Sequence, residues 1–511
     1  MTMTPAQPAA PPGARPPGAP APAPAADAVP AAPPARRGRL ATFARGRWLR
    51  TIPGRIRAHV ALVLAALVAL LAVLTVAVGN ARDSVQTIGH DAGPQVVATS
   101  TLYFALSDMD AQVSNILLIG RQHDLGSGYD QMIGAYERRR ADADAAAVQA
   151  AQLAGRDPAL RQTVQDVLDG LGRYERLVGS AMQLNQQADH PAGEPPKEVV
   201  DAYRQATDLM KLELLPKAYN ITLDTGAHVR QAYETKRTSV LAGRDWVIVA
   251  GVVALLLLVA TQLYLARTFR RLLNPALVLA TLGTVALTAV GAGLLSAQAE
   301  HIRKAKEDGF DSVLSLSRAR SISHSAFADE SRYLLDPGRA DTYEQTYLDK
   351  SLSVVYPDIG DKPLNLENYY AGLEQKVGPY RPREGAAPFL GFLADEAASA
   401  RNAREADAVQ RTLRAYIVVQ RDDQRMRSLV TSGNRGGAIA LRMGRQTGAI
   451  PDFDAYDAAL GSLIAVHQDA FTRQIKDADG GLRGWKAVPP AAAVIALLIV
   501  AGVRPRLAEF R

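Results

Sequence analysis

Side chains able to do chemistry are thinly spread in this chain. It has no Cys, which removes thiolate metal ligands, cysteine nucleophiles and disulfides. Its eight His are scattered, and none has a second ligand at metal spacing. No phosphate-binding loop, H-E-x-x-H pair, G-x-S-x-G elbow or kinase signature occurs. A few charged groups remain. Asp108 and Asp110 are two apart, so on a helix they take different faces, as expected of solvated surface charges. Arg138, Arg139 and Arg140 wrap around a helix and read as solvated rather than as an anion site. Arg332, Glu330 and Arg121 are the polar contacts available if a helix bundle bound a small ligand directly, with surface salt pairing the plainer reading. His467 falls on an apolar stripe and reads as a packed, hydrogen-bonded histidine. Asn220-Ile-Thr222 fits a glycosylation acceptor, a tripeptide that often arises by chance. No catalytic, metal or cofactor residue is assigned and no cofactor is expected. The chain reads as non-enzymatic, with its binding residues unknown.

The elements that must carry these residues are set by four apolar runs, 58–79, 246–266, 276–297 and 487–503. None contains Asp, Glu, Lys or Arg, and an apolar helix needs roughly 20 residues to cross a bilayer. The expected fold class is an all-α membrane protein with four transmembrane helices and two tandem extracytoplasmic four-helix-bundle domains, at 80–245 and 298–486. Residues 1–57 form a Pro/Ala-rich, basic cytoplasmic tail whose first 35 residues bury too little apolar surface to fold. Residues 267–275 are a cytoplasmic loop and 504–511 a cytoplasmic tail.

Charge sets the expected orientation. The N-terminal tail, the loop and the C-terminal tail carry fifteen Lys and Arg against two acidic residues, although the whole chain is only +7. Basic residues beside spans stay cytoplasmic, so both termini lie inside and both large domains outside. The basic excess is thus explained by topology rather than by nucleic acid, and its natural partner is anionic membrane lipid. Ala77, Gly79 and Ala81 also suit a cleaved signal peptide, but the first apolar run is longer than a signal core.

Within 80–245, Leu102, Leu106, Met109, Val113, Ile116 and Gly120 follow a 4,3 spacing, as do Leu160, Val164, Val167, Leu171, Tyr174 and Val178. That spacing gives each helix one apolar stripe. Breaks near Gly126, Gly155 and Pro191–Pro196 leave helices at about 82–120, 128–154, 158–188 and 197–245, the first and last running into spans. Asp157-Pro158 and Asn274-Pro275 read as cap and first helical residue. The second domain repeats the plan, with a first helix at about 299–335, a last stripe of Phe453, Tyr456, Leu460, Leu463, His467 and Ala470, and an irregular insertion at Tyr356–Asn368. Short echoes suggest duplication: Asp201-Ala202-Tyr203 opens one last helix and Asp454-Ala455-Tyr456 the other. The loops near Gly120–Gly128, Asp189–Pro196 and Asp336–Asp341 lie farthest from the membrane and suit a docking protein. Gly283, Gly291 and Gly293 in span three suit close helix packing.

Thr51-Ile-Pro-Gly-Arg-Ile-Arg57, Arg270-Arg-Leu-Leu-Asn-Pro275, Ser317-Arg-Ala-Arg320 and Asp329-Glu-Ser331, with the span order, resemble an actinobacterial family. It is the four-pass membrane signal transducer of the glutamine-sensing, protein kinase G system, and the likeness runs from about residue 50 to 505. The resemblance implies an extracytoplasmic amino-acid-binding lipoprotein as input partner and a cytoplasmic Ser/Thr protein kinase as output partner. The expected function is relay of amino-acid availability across the membrane, and pairing into a homodimer is compatible with it. The alternatives are a structural or permease-like lever subunit of a membrane ATPase complex, and a direct small-ligand sensor. The spans lack Asp, Glu, Lys and Arg, which speaks against a transport path.

Overall fold

Each apolar run is one stretch of a much longer helix. A computed structural model describes residues 52–508, except 124, 126–127, 154–156, 270–273, 384–385, 401 and 445. The Pro/Ala-rich tail up to residue 51, Arg270 and Arg271 of the basic loop, and the turn residues Gly126 and Gly155 lie outside the described residues. Four helices are long and apolar enough to cross a membrane: α1 (Ile52–Ile119), α4 (Lys197–Thr268), α5 (Pro275–Leu335) and α11 (Ala449–Pro505). Large apolar side chains that remain exposed gather on their apolar segments, among them Leu62, Val68, Leu256, Leu282, Val290 and Leu497. A contiguous apolar surface of this kind needs lipid or protein to cover it. The protein is an all-α, multi-pass membrane protein.

Above the spans, α1 and α4 close a ring with α2 (Tyr129–Leu153) and α3 (Pro158–Ala188). Both expected stripes, Leu102–Gly120 and Leu160–Val178, are buried at the centre of this first array. The Asp157 carboxylate accepts from the Ala159 and Leu160 amides, capping α3 ahead of Pro158, and Asn274 caps α5 in the same way. Gly120 takes φ +53°, and a Cβ there would lie 2.4 Å from the His190 carbonyl, so only glycine fits this turn.

The second array is less regular. Its long helices are the upper parts of α5 and α11, with α6 (Ala340–Val354) and α9 (Ala403–Thr431). Three short helices, α7 (Leu366–Gly372), α8 (Phe392–Ser399) and α10 (Arg435–Arg442), fill the connections. The insertion read as irregular contributes Tyr356–Pro357 as β1, paired antiparallel with β2 (Phe389–Leu390). From the expected last stripe, Phe453, Tyr456, Leu460, Leu463 and His467 are buried and Ala470 is partly so. His467 is the hydrogen-bonded histidine the stripe predicts: Nδ1 bonds the Asp308 carbonyl at 2.9 Å and Nε2 faces Glu396 at 3.0 Å.

Between spans, small residues let backbones approach. A Cβ on Gly291 would meet Leu74 at 2.8 Å, and one on Gly283 would meet Ile495 at 3.0 Å. Gly293, by contrast, has open space around it and serves no such contact. Close packing recurs where α1 and α5 leave their spans. Each changes there to a π-helical turn, at Gln86–Ala92 and Ala305–Phe310. Gly89 and Gly309 of these turns sit against Ile475 and Phe471 of α11.

A methyl on Gly309 would come within 2.9 Å of the Phe471 Cα and 3.0 Å of its amide nitrogen, backbone atoms that cannot swing aside. Gly309→Ala should therefore cost about 1–3 kcal/mol by overpacking, lowering the thermal midpoint of the detergent-solubilised protein by several degrees. Gly293→Ala should leave that midpoint unchanged.

Candidate functional site: the seam between the two helical arrays

Most charged residues that the sequence makes conspicuous meet where α1 lies along α5. Asp110 is fully buried on the inner face of α1. It accepts from Tyr174 Oη at 2.9 Å and Thr207 Oγ1 at 3.0 Å within its own array, and from the Arg332 guanidinium of the other. Arg332, also fully buried, donates to Tyr203 Oη at 3.1 Å and pairs with Asp329. Asp329 in turn takes Lys211 of α4 at 3.3 Å and Lys350 of α6. Burial would push the Asp329 carboxyl up, but Lys350, Arg332 and Lys211 outweigh it and hold it well below the carboxylate range. Burial draws the Lys350 ammonium down to about 8.

About half a turn toward the membrane, Asp108 lies on the other face of α1. Its Oδ2 accepts from Arg139 Nε at 2.6 Å and its Oδ1 meets His324 Nδ1 at 3.1 Å. His324 Nε2 reaches Asp457 Oδ1 at 2.8 Å, and Arg320 forks onto Asp457 at 2.6 and 2.5 Å. The imidazole thus stands between two carboxylates, one from each array. Burial opposes its charge, but hydrogen bonds and attraction from Asp108 and Asp457 raise it to about 9. Burial would likewise raise Asp108, yet His324 and Arg139 hold it at about 2. Toward the distal end, Ser331 Oγ donates to Asn115 Oδ1 at 2.6 Å, and Arg442 Nε pairs with Glu330 at 3.0 Å while its guanidinium lies 3.6 Å over the Phe327 ring.

These positions correct several expectations. Asp108 and Asp110 do take different faces, but both are buried rather than solvated. Glu330 and Arg332 are buried rather than paired at the surface. Arg139 belongs to the seam, and Arg140 pairs with Glu137 and Glu175. Arg138 stays exposed, with no ion pair among the described residues. Arg121 is exposed and donates to the Asp189 carbonyl at 3.2 Å. The distal loops expected to face outward are partly used against each other: Arg204 forks onto Asp336 at 2.8 and 2.6 Å, Arg339 reaches Asp208 at 2.8 Å, and Gly193 packs against Ile439. His324, Asp457 and Arg442 carried no sequence signal. Their spacing along the chain matches no motif, and only the docking of the arrays brings them together.

Beside the seam opens a cleft of 770 Å³ with walls from both arrays. Asp108 and Asn115 of α1 and Arg138 and Asp130 of α2 face His324 and Phe327 of α5 and Phe453, Asp454 and Asp457 of α11. This volume lies within the usual range of small-molecule sites, about 300–1,000 Å³. Among the described residues, no three His, Asp or Glu side chains gather as a metal site.

Residues 84–234, the first array, match the family described as an actinobacterial sensor domain. The match covers under a third of the chain and supports an actinobacterial sensor protein. No curated protein and no solved structure matches the chain.

Two measurements test the seam. Arg332→Met leaves the buried Asp110 carboxylate without its cation and should cost about 3–5 kcal/mol, read as a lowered denaturation midpoint. Adding Asp110→Asn should recover part of that loss, since Asp329 keeps Lys211 and Lys350 as partners. For His324, the folded pKa of about 9 exceeds the unfolded value near 6.5. Its contribution is therefore complete below pH ~6.5 and lost as pH rises through ~9. Lys350, drawn down to about 8, titrates in the opposite sense, so the informative quantity is the stability difference between wild type and His324→Gln. That difference should shrink steadily across this window.

Proposed function

We propose that this protein is a non-enzymatic transmembrane signal transducer. It relays extracytoplasmic amino-acid availability to a cytoplasmic Ser/Thr protein kinase, with an amino-acid-binding lipoprotein docking on its two arrays. The observation that carries this reading is continuity: α1, α4, α5 and α11 each run without a break from an apolar segment into the arrays. All four contribute directly to the charged seam, α1 through Asp108 and Asp110, α4 through Thr207 and Lys211, α5 through His324 and Arg332, and α11 through Asp457. A change in how the arrays dock is thereby a change in how spans pack, and packed helices shift between discrete arrangements rather than deforming continuously. The sensor-domain match of residues 84–234 supports the input role. Basic residues flanking the apolar runs support termini inside and arrays outside. The lipoprotein and the kinase come from the family resemblance.

The test is crosslinking of the full-length protein in its native membrane, with and without added amino acids, followed by mass spectrometry. Amino-acid-dependent capture of a substrate-binding lipoprotein together with a Ser/Thr kinase is the expected outcome. Capture of an ATPase or a cell-wall enzyme, indifferent to amino acids, would overturn the reading in favour of a lever subunit. Because the chain has no Cys, the pair Asn115→Cys and Ser331→Cys can be joined across the seam. Oxidation of this variant should abolish the amino-acid dependence of kinase capture, and reduction should restore it.

A further inference from the structure

The seam uses up almost all of its own charge. Asp108 is held by Arg139 and His324, and Asp457 by Arg320 and His324. Three charged groups on the cleft wall have no ion pair or hydrogen bond among the described residues: Asp130 and Arg138 on α2, and Asp454 on α11. The cation belongs to the first array and one carboxylate to the second. The apolar part of the wall between them is Met132, Ile450, Phe327 and Phe453, the two phenyl rings stacked 3.9 Å apart. Asn115, Gln112 and Gln131 add neutral amides. Burial and the neighbouring Asp457 charge raise the Asp454 carboxyl, a penalty that a positive group placed against it would relieve. Charged groups that face Asp454 from the packed helices are Asp457 on its own helix, His324 on α5, Asp108 on α1 and Arg442 on α10.

We infer that the inter-array cleft is a binding site for a zwitterionic amino compound, with its ammonium on Asp454, its carboxylate on Arg138 and its carbon skeleton against Phe327 and Phe453. Two opposite charges on one small molecule satisfy one unpaired group in each array. Binding therefore ties the arrays together without breaking any seam pair. A purely anionic ligand would leave Asp454 and Asp130 opposed, and a purely cationic one would leave Arg138 opposed. The volume of 770 Å³ accommodates either a free amino acid or a short peptide, which share this chemistry. The inference rests on the sensor reading for the consequence of binding, though the binding itself stands apart from it.

The experiment is titration calorimetry on the full-length protein in detergent micelles, with four probes: L-glutamine, trialanine, succinate and putrescine. The expected result is heat from one or both zwitterions, with a Kd between about 1 μM and 1 mM, and none from succinate or putrescine. Glutamine binding alone assigns the free amino acid, and trialanine binding alone assigns the peptide. Arg138→Gln and Asp454→Asn should each weaken binding at least ~10-fold while leaving the thermal midpoint in place, because neither side chain holds the fold. Silence from both zwitterions, binding unaffected by either substitution, or binding of putrescine or succinate alone would each overturn the inference. Zwitterion binding without any change in partner capture would sustain this site and overturn the transducer reading. Amino-acid-dependent capture that persists in Asp454→Asn, with no zwitterion heat, would do the reverse.

Discussion

A charge buried in a protein interior must be paired, and among the described residues the buried Asp110 finds its cation, Arg332, in the other array. Arg332 is fully buried and neutralised by Asp110 from one array and Asp329 from the other. Separating the arrays would leave charges uncompensated in apolar surroundings, which costs far more than a surface pair contributes. Apolar packing follows the same line: Leu334, Leu335, Ile439 and Met443 of the second array share a core with Leu118 and Val199 of the first. The charges specify one register for that contact. An apolar face would tolerate sliding by a turn, whereas Asp110 meets Arg332 and His324 meets Asp108 across the seam at one height.

That register makes the seam suited to signalling. The helices that meet in it are the same helices whose apolar segments form the spans, so docking and span packing are one mechanical problem. Where α1 and α5 enter the spans, π-helical turns set their glycines close against α11, Gly309 against backbone that leaves no room for a side chain. Such turns recur at functional sites in helices. The three helices therefore meet at two heights, by charge at the seam and near the spans by Gly89 against the Ile475 side chain and Gly309 against the Phe471 backbone.

The helices themselves were readable in advance, because a helix is a local structure. The 4,3 stripes, the Asp157 and Asn274 caps and the apolar runs depend on residues a few positions apart, and the structure places helices where those patterns lie. Tyr203 and Tyr456, which follow matching Asp-Ala pairs, are both buried core residues, as their shared position suggests. The small strand pair at Tyr356–Pro357 escaped notice because two-residue strands have no period to detect.

The site was not readable, for the opposite reason. Asp108 and Arg332 look like ordinary helix-surface charges until their neighbours from the other array are known, and those neighbours lie more than a hundred residues away. Composition and periodicity settle how many helices there are, which stripe of each is apolar and which segments seek lipid, since each is fixed by contacts within one or two turns. Whether a charged residue beside that stripe meets water or a partner depends on which faces of distant helices come together. Local pattern says nothing about that. Docking of the arrays turned four apparently solvated residues into a buried network and left Asp130, Arg138 and Asp454 as the charges still to be answered.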